Sequence, residues 1–202
     1  MRRFSTFVLA ASLTLFAAVA WSGDVKKGQV AYEAMDYAAA KAEWQEPADA
    51  GDANAAYGMG MLYGNGFGVD MNDEMALKYY GIAAKAGHPD AQFNLAVMHQ
   101  NGWGVPPDEE LANEWYRKAA DKGHTQSQMA LGRYFAMDFL DTYDPVEAYT
   151  WFSLAEKLGD VDAIDKREFI AGRMTPEQRR EGDGRVEAWM AANRPDFDDP
   201  LD

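Results

Sequence analysis

Hydrophobic and polar positions along this chain recur at an interval of 36 residues. Gly51, Gly87, Gly123 and Gly159 stand at that interval. So do Trp44, Tyr80, Tyr116 and Phe152, the small residues Ala40, Ala76, Ala112 and Ala148, and the apolar residues Met59, Leu95 and Leu131. Such a period marks an array of small units, each unable to bury its apolar face without a neighbour. Two helices fit in each unit. The first starts near Asp52 in one copy and Pro89 in the next, and its Ala91, Leu95, Ala96 and Met98 follow the spacing of one buried helical face. The second opens at an N-cap column of Asn72, Asp108 and Asp144, whose short side chains accept from the unpaired N–H groups of a first turn. Asp73, Glu74, Glu109, Glu110 and Glu147 then fall where the helix dipole favours negative charge. The periodic glycine closes each second helix in the left-handed conformation that a Cβ disfavours.

In its fullest copy the pattern reads Ala91-x3-Leu95-Ala96-x2-His99-x2-Gly102-x-Gly104-Val105-x2-Asp108-x3-Ala112-x2-Trp115-Tyr116-x2-Ala119-Ala120-x2-Gly123. It resembles the Sel-1-like repeat, a relative of the tetratricopeptide repeat. The copy beginning at Gly51 fits nearly as well, with Met59-Gly60 and Tyr63 in place. The third keeps Leu131-Gly132, Phe135, Ala148, Trp151-Phe152 and Gly159, but AMDFLDTYDP (136–145) replaces the double-glycine loop, so a differently shaped turn is expected. Upstream, VAYEAMDYAAAKAEWQEPADAG (30–51) resembles the shorter N-terminal helix pair of such proteins. Downstream, AIDKREFIAGRMTPEQRREGDGRVEAWM resembles the capping helices that often close these arrays.

The resemblance implies an all-α fold: a right-handed α-solenoid of antiparallel helix pairs with C-terminal capping helices. The expected division is a helix pair at 25–50, repeats at 51–86, 87–122 and 123–158, caps at 159–190 and an acidic tail at 191–202. Thr175-Pro176-Glu177-Gln178 supports the last helix independently. It supplies a capping threonine, a proline at the first helical position and an N3 glutamine that closes a capping box.

Stacked helix pairs make a curved solenoid whose concave wall is built largely by the first helices, and such walls bind extended peptides or helices of other proteins. With the buried columns removed, one stripe remains on those helices: Asn54, Gly58, Met61 and Asn65; Asp90, Asn94, Val97 and Asn101; Gln126, Ala130, Arg133 and Met137. Asparagine amides pair with a peptide backbone, while Met61, Val97 and Met137 offer apolar contact. The small and apolar members also suit packing against a neighbouring helix. Phe67 and Trp103, at equivalent tips of the NGFGV and NGWGV loops, form a secondary candidate surface; packing back over the repeat junction is their expected use.

Charge and the N-terminus change the picture. The chain holds 19 basic and 33 acidic residues, a formal net charge of −14, and no cysteine. Arg2 and Arg3 precede an apolar run without an acid before Asp24, followed by Ala18-Val19-Ala20, the layout of a secretory signal peptide at 1–20. Its removal leaves 17 basic against 33 acidic residues, −16. The expectation is a periplasmic protein without stable membrane insertion after cleavage, although the run approaches the length of a retained anchor. Such a surface disfavours nucleic acid and anionic lipid and favours neutral or basic partners. Without disulfides, packing alone must hold the domain together.

Candidate chemistry is sparse. The glycine loops recur and are followed by acids, which argues for punctuation between helices rather than a phosphate cradle. His88 and His124 occupy one repeat position just past the closing glycine and read as N-caps, while His99 replaces the aromatic at Tyr63 and Phe135 and reads as a packed histidine. Asp138, Asp141 and Asp144 lie three apart, but a calcium loop is incomplete and Asp144 reads as an N-cap. Neither HExxH nor a G-x-S-x-G setting occurs. No catalytic residue, cofactor or metal is therefore expected. The reading is a non-enzymatic scaffold that binds a protein partner. Relatives of this kind serve as adaptors or regulators in envelope assembly or signalling. A hydrolase of the β-lactamase-like type attributed to some cysteine-rich relatives, and a carbohydrate or peptidoglycan binder using exposed aromatics, are the alternatives.

Overall fold

A computed structural model describes residues 24–137 and 141–193. The signal sequence expected at 1–20, Asp138 and most of the acidic tail lie outside the described residues. Ten helices and no strand occupy the described residues: α1 (Val25–Glu33), α2 (Tyr37–Asp49), α3 (Ala53–Asn65), α4 (Asp73–Lys85), α5 (Pro89–Asn101), α6 (Glu109–Ala120), α7 (Thr125–Phe135), α8 (Pro145–Lys157), α9 (Ala163–Ala171) and α10 (Pro176–Ala192). Each helix packs chiefly on its sequence neighbours, as in a one-dimensional stack, so the chain is an all-α solenoid. At the C-terminal end α10 leans on α8.

The cap column is realised in full. Asn72 accepts from the Met75 N–H at 2.9 Å, Asp108 from that of Leu111 at 2.9 Å, and Asp144 from those of Val146 and Glu147 at 2.9 and 3.0 Å. Thr175 and Gln178 close the expected capping box on α10. Periodic glycines Gly51, Gly87, Gly123 and Gly159 all have positive φ. The third inter-helix connection does differ: α3 and α5 end on left-handed Gly66 and Gly102, whereas α7 ends on right-handed Ala136. All three connections are nevertheless pinned by one periodic backbone bond. The N–H of Asn72, Asp108 and Asp144 donates to the carbonyl of Tyr63, His99 and Phe135 at 2.9, 2.8 and 3.0 Å.

The core is built by laying an aromatic ring of a second helix on a glycine of a first helix. A Cβ at Gly60 would lie 2.5 Å from the Tyr80 ring, and one at Gly132 would lie 2.5 Å from the Phe152 ring. Fully buried Trp44 is sandwiched between Gly28 and Gly58 and donates its indole N–H to the Val25 carbonyl at 3.1 Å. Burying a side chain of that size contributes about 3 kcal/mol, enough to fix the pitch at which helices approach. Two buried glutamines one period apart then join successive units. The Gln92 amide donates to the Ala84 carbonyl at 3.0 Å and the Gln128 amide to the Ala120 carbonyl at 3.1 Å.

Candidate partner-binding site

The stripe on the first helices is divided by the unit junctions into separate clefts. Asn54, Met61 and Asp90 line a cavity of about 360 Å³ between α1, α3 and the start of α5. Asn65, Asn94 and Val97 line a central cleft of about 200 Å³. Val97 also contributes, with Arg133, Ala130 and Met137, to a third cavity of about 310 Å³. Gln126 and Asn101 are exposed and line none of these three clefts. Gly58 is buried against the Trp44 ring and lines only the floor of the first cavity. Met61 is half-buried against the core, and the amides of Asn65 and Asn101 already donate to the Met61 and Val97 carbonyls at 2.9 and 2.8 Å, leaving one N–H and the carbonyl oxygen of each for another group.

The central cleft joins the two surfaces that the sequence kept apart. Its walls carry Asn65 from α3, Asp73 and Tyr80 from α4, Asn94 from α5, and Trp103 from the loop after α5. Trp103 is 51% exposed. Its repeat equivalent Phe67 is not a surface residue of this kind: it stacks on Tyr37 with ring centroids 4.9 Å apart and planes 11° from parallel. The cause lies in the residue one unit earlier. Tyr37 underlies Phe67, but the position equivalent to Tyr37 is Asp73, which gives Trp103 no ring to stack on. Backbone contact is retained, since a Cβ at Gly104 would lie 2.8 Å from the Asp73 carbonyl group. The loop is therefore seated while the indole stays open. The Asn94 carboxamide faces the hydroxyls of Tyr57 and Tyr80. Burial raises the Tyr80 phenol above its ordinary range, so it stays a protonated donor. An indole face beside two carboxamides offers apolar contact and paired backbone recognition together.

Comparison with known proteins agrees with this architecture. The Sel1 repeat matches residues 53–88, 89–124 and 125–160. The chain belongs to the Sel1 repeat family. A Sel1 repeat protein from Oxalobacter formigenes has a similar structure, with a TM-score of 0.67 and 31% identity over 71% of this chain and 59% of that one. A protective antigen present in uropathogenic Escherichia coli strains, displaying an SLR fold, is similar in fold with a TM-score of 0.55 and 21% identity over 84% of this chain and 46% of that one. This chain thus spans under two thirds of either protein. No curated protein matches it. Sel1 repeats generally mediate protein–protein interaction.

One polar cluster in this Sel1 array was hidden from sequence reading. Asp90, assigned to the stripe, lies between two histidines: its carboxylate is 3.3 Å from Nε2 of His124 and 3.7 Å from Nδ1 of His88. Both imidazoles are N-caps, as expected. His88 accepts from the Ala91 N–H at 3.4 Å and His124 from the Ser127 N–H at 3.2 Å. Asp90, His124 and Ser127 follow the order of a hydrolytic triad, with the Ser127 hydroxyl 2.9 Å from His124 Nδ1. Ser127 is 0% exposed, so this hydroxyl meets no substrate and the cluster serves a helix start. His99 is half-buried, and among the described residues no group of three His, Asp or Glu is placed to hold a metal. None of the described helices is long and apolar enough to cross a membrane.

Proposed function

We propose that this chain is an exported, non-enzymatic scaffold that binds an extended segment of another protein in the central cleft, acting as an adaptor or regulator in envelope assembly or signalling. The observation that carries this reading is the exposed Trp103 indole set beside Asn65 and Asn94, on a wall built by two successive units. Such an arrangement supplies an aromatic anchor together with carboxamides that pair with a peptide backbone. Export rests on the N-terminal order of charge, apolar run and small residues, and a basic or neutral segment suits the net charge of −14.

The same open indole next to Asp73 and the two asparagines is also the chemistry of sugar recognition, which keeps a carbohydrate ligand as the second reading. One experiment separates them. Protein partners are captured by in-cell crosslinking, and affinity is compared between the wild type and the Asn94→Ala/Trp103→Ala variant, alongside binding to immobilised glycans. A captured protein whose affinity falls roughly tenfold or more with helical content unchanged is the expected result. Equal affinity of both proteins for that partner sinks the central cleft, and glycan binding lost in the variant transfers it to the second reading.

A further inference from the structure

Among the described residues that line the central cleft, Asp73 alone is charged. It is half-buried and enters no ion pair with a described Lys or Arg. By contrast, half-buried Glu147 meets Arg185 at 2.7 Å and Arg117 at 3.6 Å. The repeat shows what the central cleft lacks. One unit after Asp73 stands Glu109, which lines its own cleft together with Arg133. One unit before Arg133 stands Val97, which lines the central cleft. The acid column thus runs through both clefts, while the cation of one is replaced in the other by an apolar side chain. A helix start alone does not account for Asp73. Glu74 shares the first turn of α4, where either acid meets the positive end of the helix dipole, but Glu74 is exposed and does not line the cleft.

The open Trp103 indole shares the cleft with this carboxylate, and Val97 and Met98 line it too. A volume of about 200 Å³ is below the roughly 300 Å³ at which small-molecule pockets begin, and it suits one inserted side chain. An aliphatic stem ending in a cation meets all of these features. The stem packs on apolar side chains, the cation lies against an indole face, and a carboxylate neutralises it. We infer that the central cleft is a receptor for one arginine or lysine side chain of the bound segment, with the cation held between the Trp103 indole and the Asp73 carboxylate. The adjoining backbone of that segment lies on Asn65 and Asn94. This specificity rests on the peptide-binding reading given above and names the residue that the segment must carry. An acidic side chain would be repelled by Asp73, and a neutral one would cover the carboxylate and leave it unpaired.

The test is a selection of random displayed peptides of about twelve residues against the full chain, keeping those whose binding is lost in the Asn94→Ala/Trp103→Ala variant. Expected in these peptides is an arginine or lysine whose replacement by citrulline or norleucine, uncharged side chains of similar reach, lowers affinity roughly tenfold or more. That replacement is read in the wild type and so needs no variant to fold. In Asp73→Asn the same replacement should change affinity by less than about threefold, because the carboxylate that distinguished the charged side chain is gone. Glu74→Gln removes the neighbouring charge from the same helical turn and should bind the charged peptides as the wild type does. Helical content of both variants is checked by circular dichroism. Peptides lost in the Asn94→Ala/Trp103→Ala variant yet unaffected by Asp73→Asn overturn the inference and leave the peptide-binding reading of the cleft standing. Equal losses in Asp73→Asn and Glu74→Gln overturn it too, by assigning the effect to the field of the whole chain. A selection that yields no peptide sensitive to Asn94→Ala/Trp103→Ala overturns the inference together with the reading it rests on.

Discussion

At the scale of single residues, glycine does two different jobs in this chain, and they fail differently when a side chain is added. Gly87 has a φ of +95°, and a Cβ there would meet only the flexible end of Lys122 at 3.0 Å. The cost of substitution is conformational. Gly87→Val should destabilise by about 1–2 kcal/mol, because a β-branched residue is forced into the left-handed region. Gly132 is helical, so Gly132→Ala gains about 1 kcal/mol of helix propensity, but its Cβ would stand 2.5 Å from the Phe152 ring. Displacing that packed ring costs about 1–3 kcal/mol, so overpacking exceeds propensity. Urea denaturation of both variants checks this, and a stabilised Gly132→Ala would show that the ring moves freely. The first kind of glycine was legible in the sequence, since it repeats just past each second helix. The second was not: nothing in a one-dimensional string says that Gly60 and Tyr80, or Gly132 and Phe152, meet face to face.

At the scale of elements, helix starts were the most legible feature because each cap is a local choice of residue type. Contacts between units were less so. The Asp90 side chain reads as a surface acid on its own helix, yet it sits between the caps of two helices one period apart. Trp103 and Phe67 read as equals until the ring beneath Phe67 is compared with Asp73 beneath Trp103. The histidine caps have a consequence for pH. Burial lowers the pKa of His88 and of His124, more strongly than the Asp90 carboxylate raises it; Lys122 adds to the depression at His88, and His88 adds to it at His124. Each imidazole is thus held neutral in the fold and accepts a backbone N–H, whereas in the unfolded chain it binds a proton below about pH 6.5. Their stabilisation is complete above that value and is lost as pH falls from there through the depressed folded pKa. The denaturation midpoint should therefore stay level from about pH 8 to about pH 7 and decline below about pH 6.5. The His88→Asn/His124→Asn variant keeps a capping oxygen without the titration, so its midpoint should be flat over the same interval. An equal decline in the variant would assign the effect to carboxylates.

At the scale of the whole molecule, the repeat makes the fold a sum of like contacts, while the cleft proposed for recognition opens where the repeat is broken. The central cleft opens where an aspartate replaces a tyrosine. Periodicity reveals the first kind of information readily, and it conceals the second until three-dimensional neighbours are known. Net charge then acts on this cleft from a distance. With a formal −14 spread over the chain, a basic segment approaching the central cleft is steered by a field that salt screens beyond about 8–10 Å at physiological ionic strength. Such steering acts during encounter, before the indole and the carboxamides make contact. Association of the captured partner should therefore slow as sodium chloride rises, while dissociation, governed by short-range contacts in the cleft, changes little. Stopped-flow measurement of both rates at low and high salt checks the sign. An association rate that climbs with salt would mean an acidic partner segment, and that outcome would move its docking site away from Trp103.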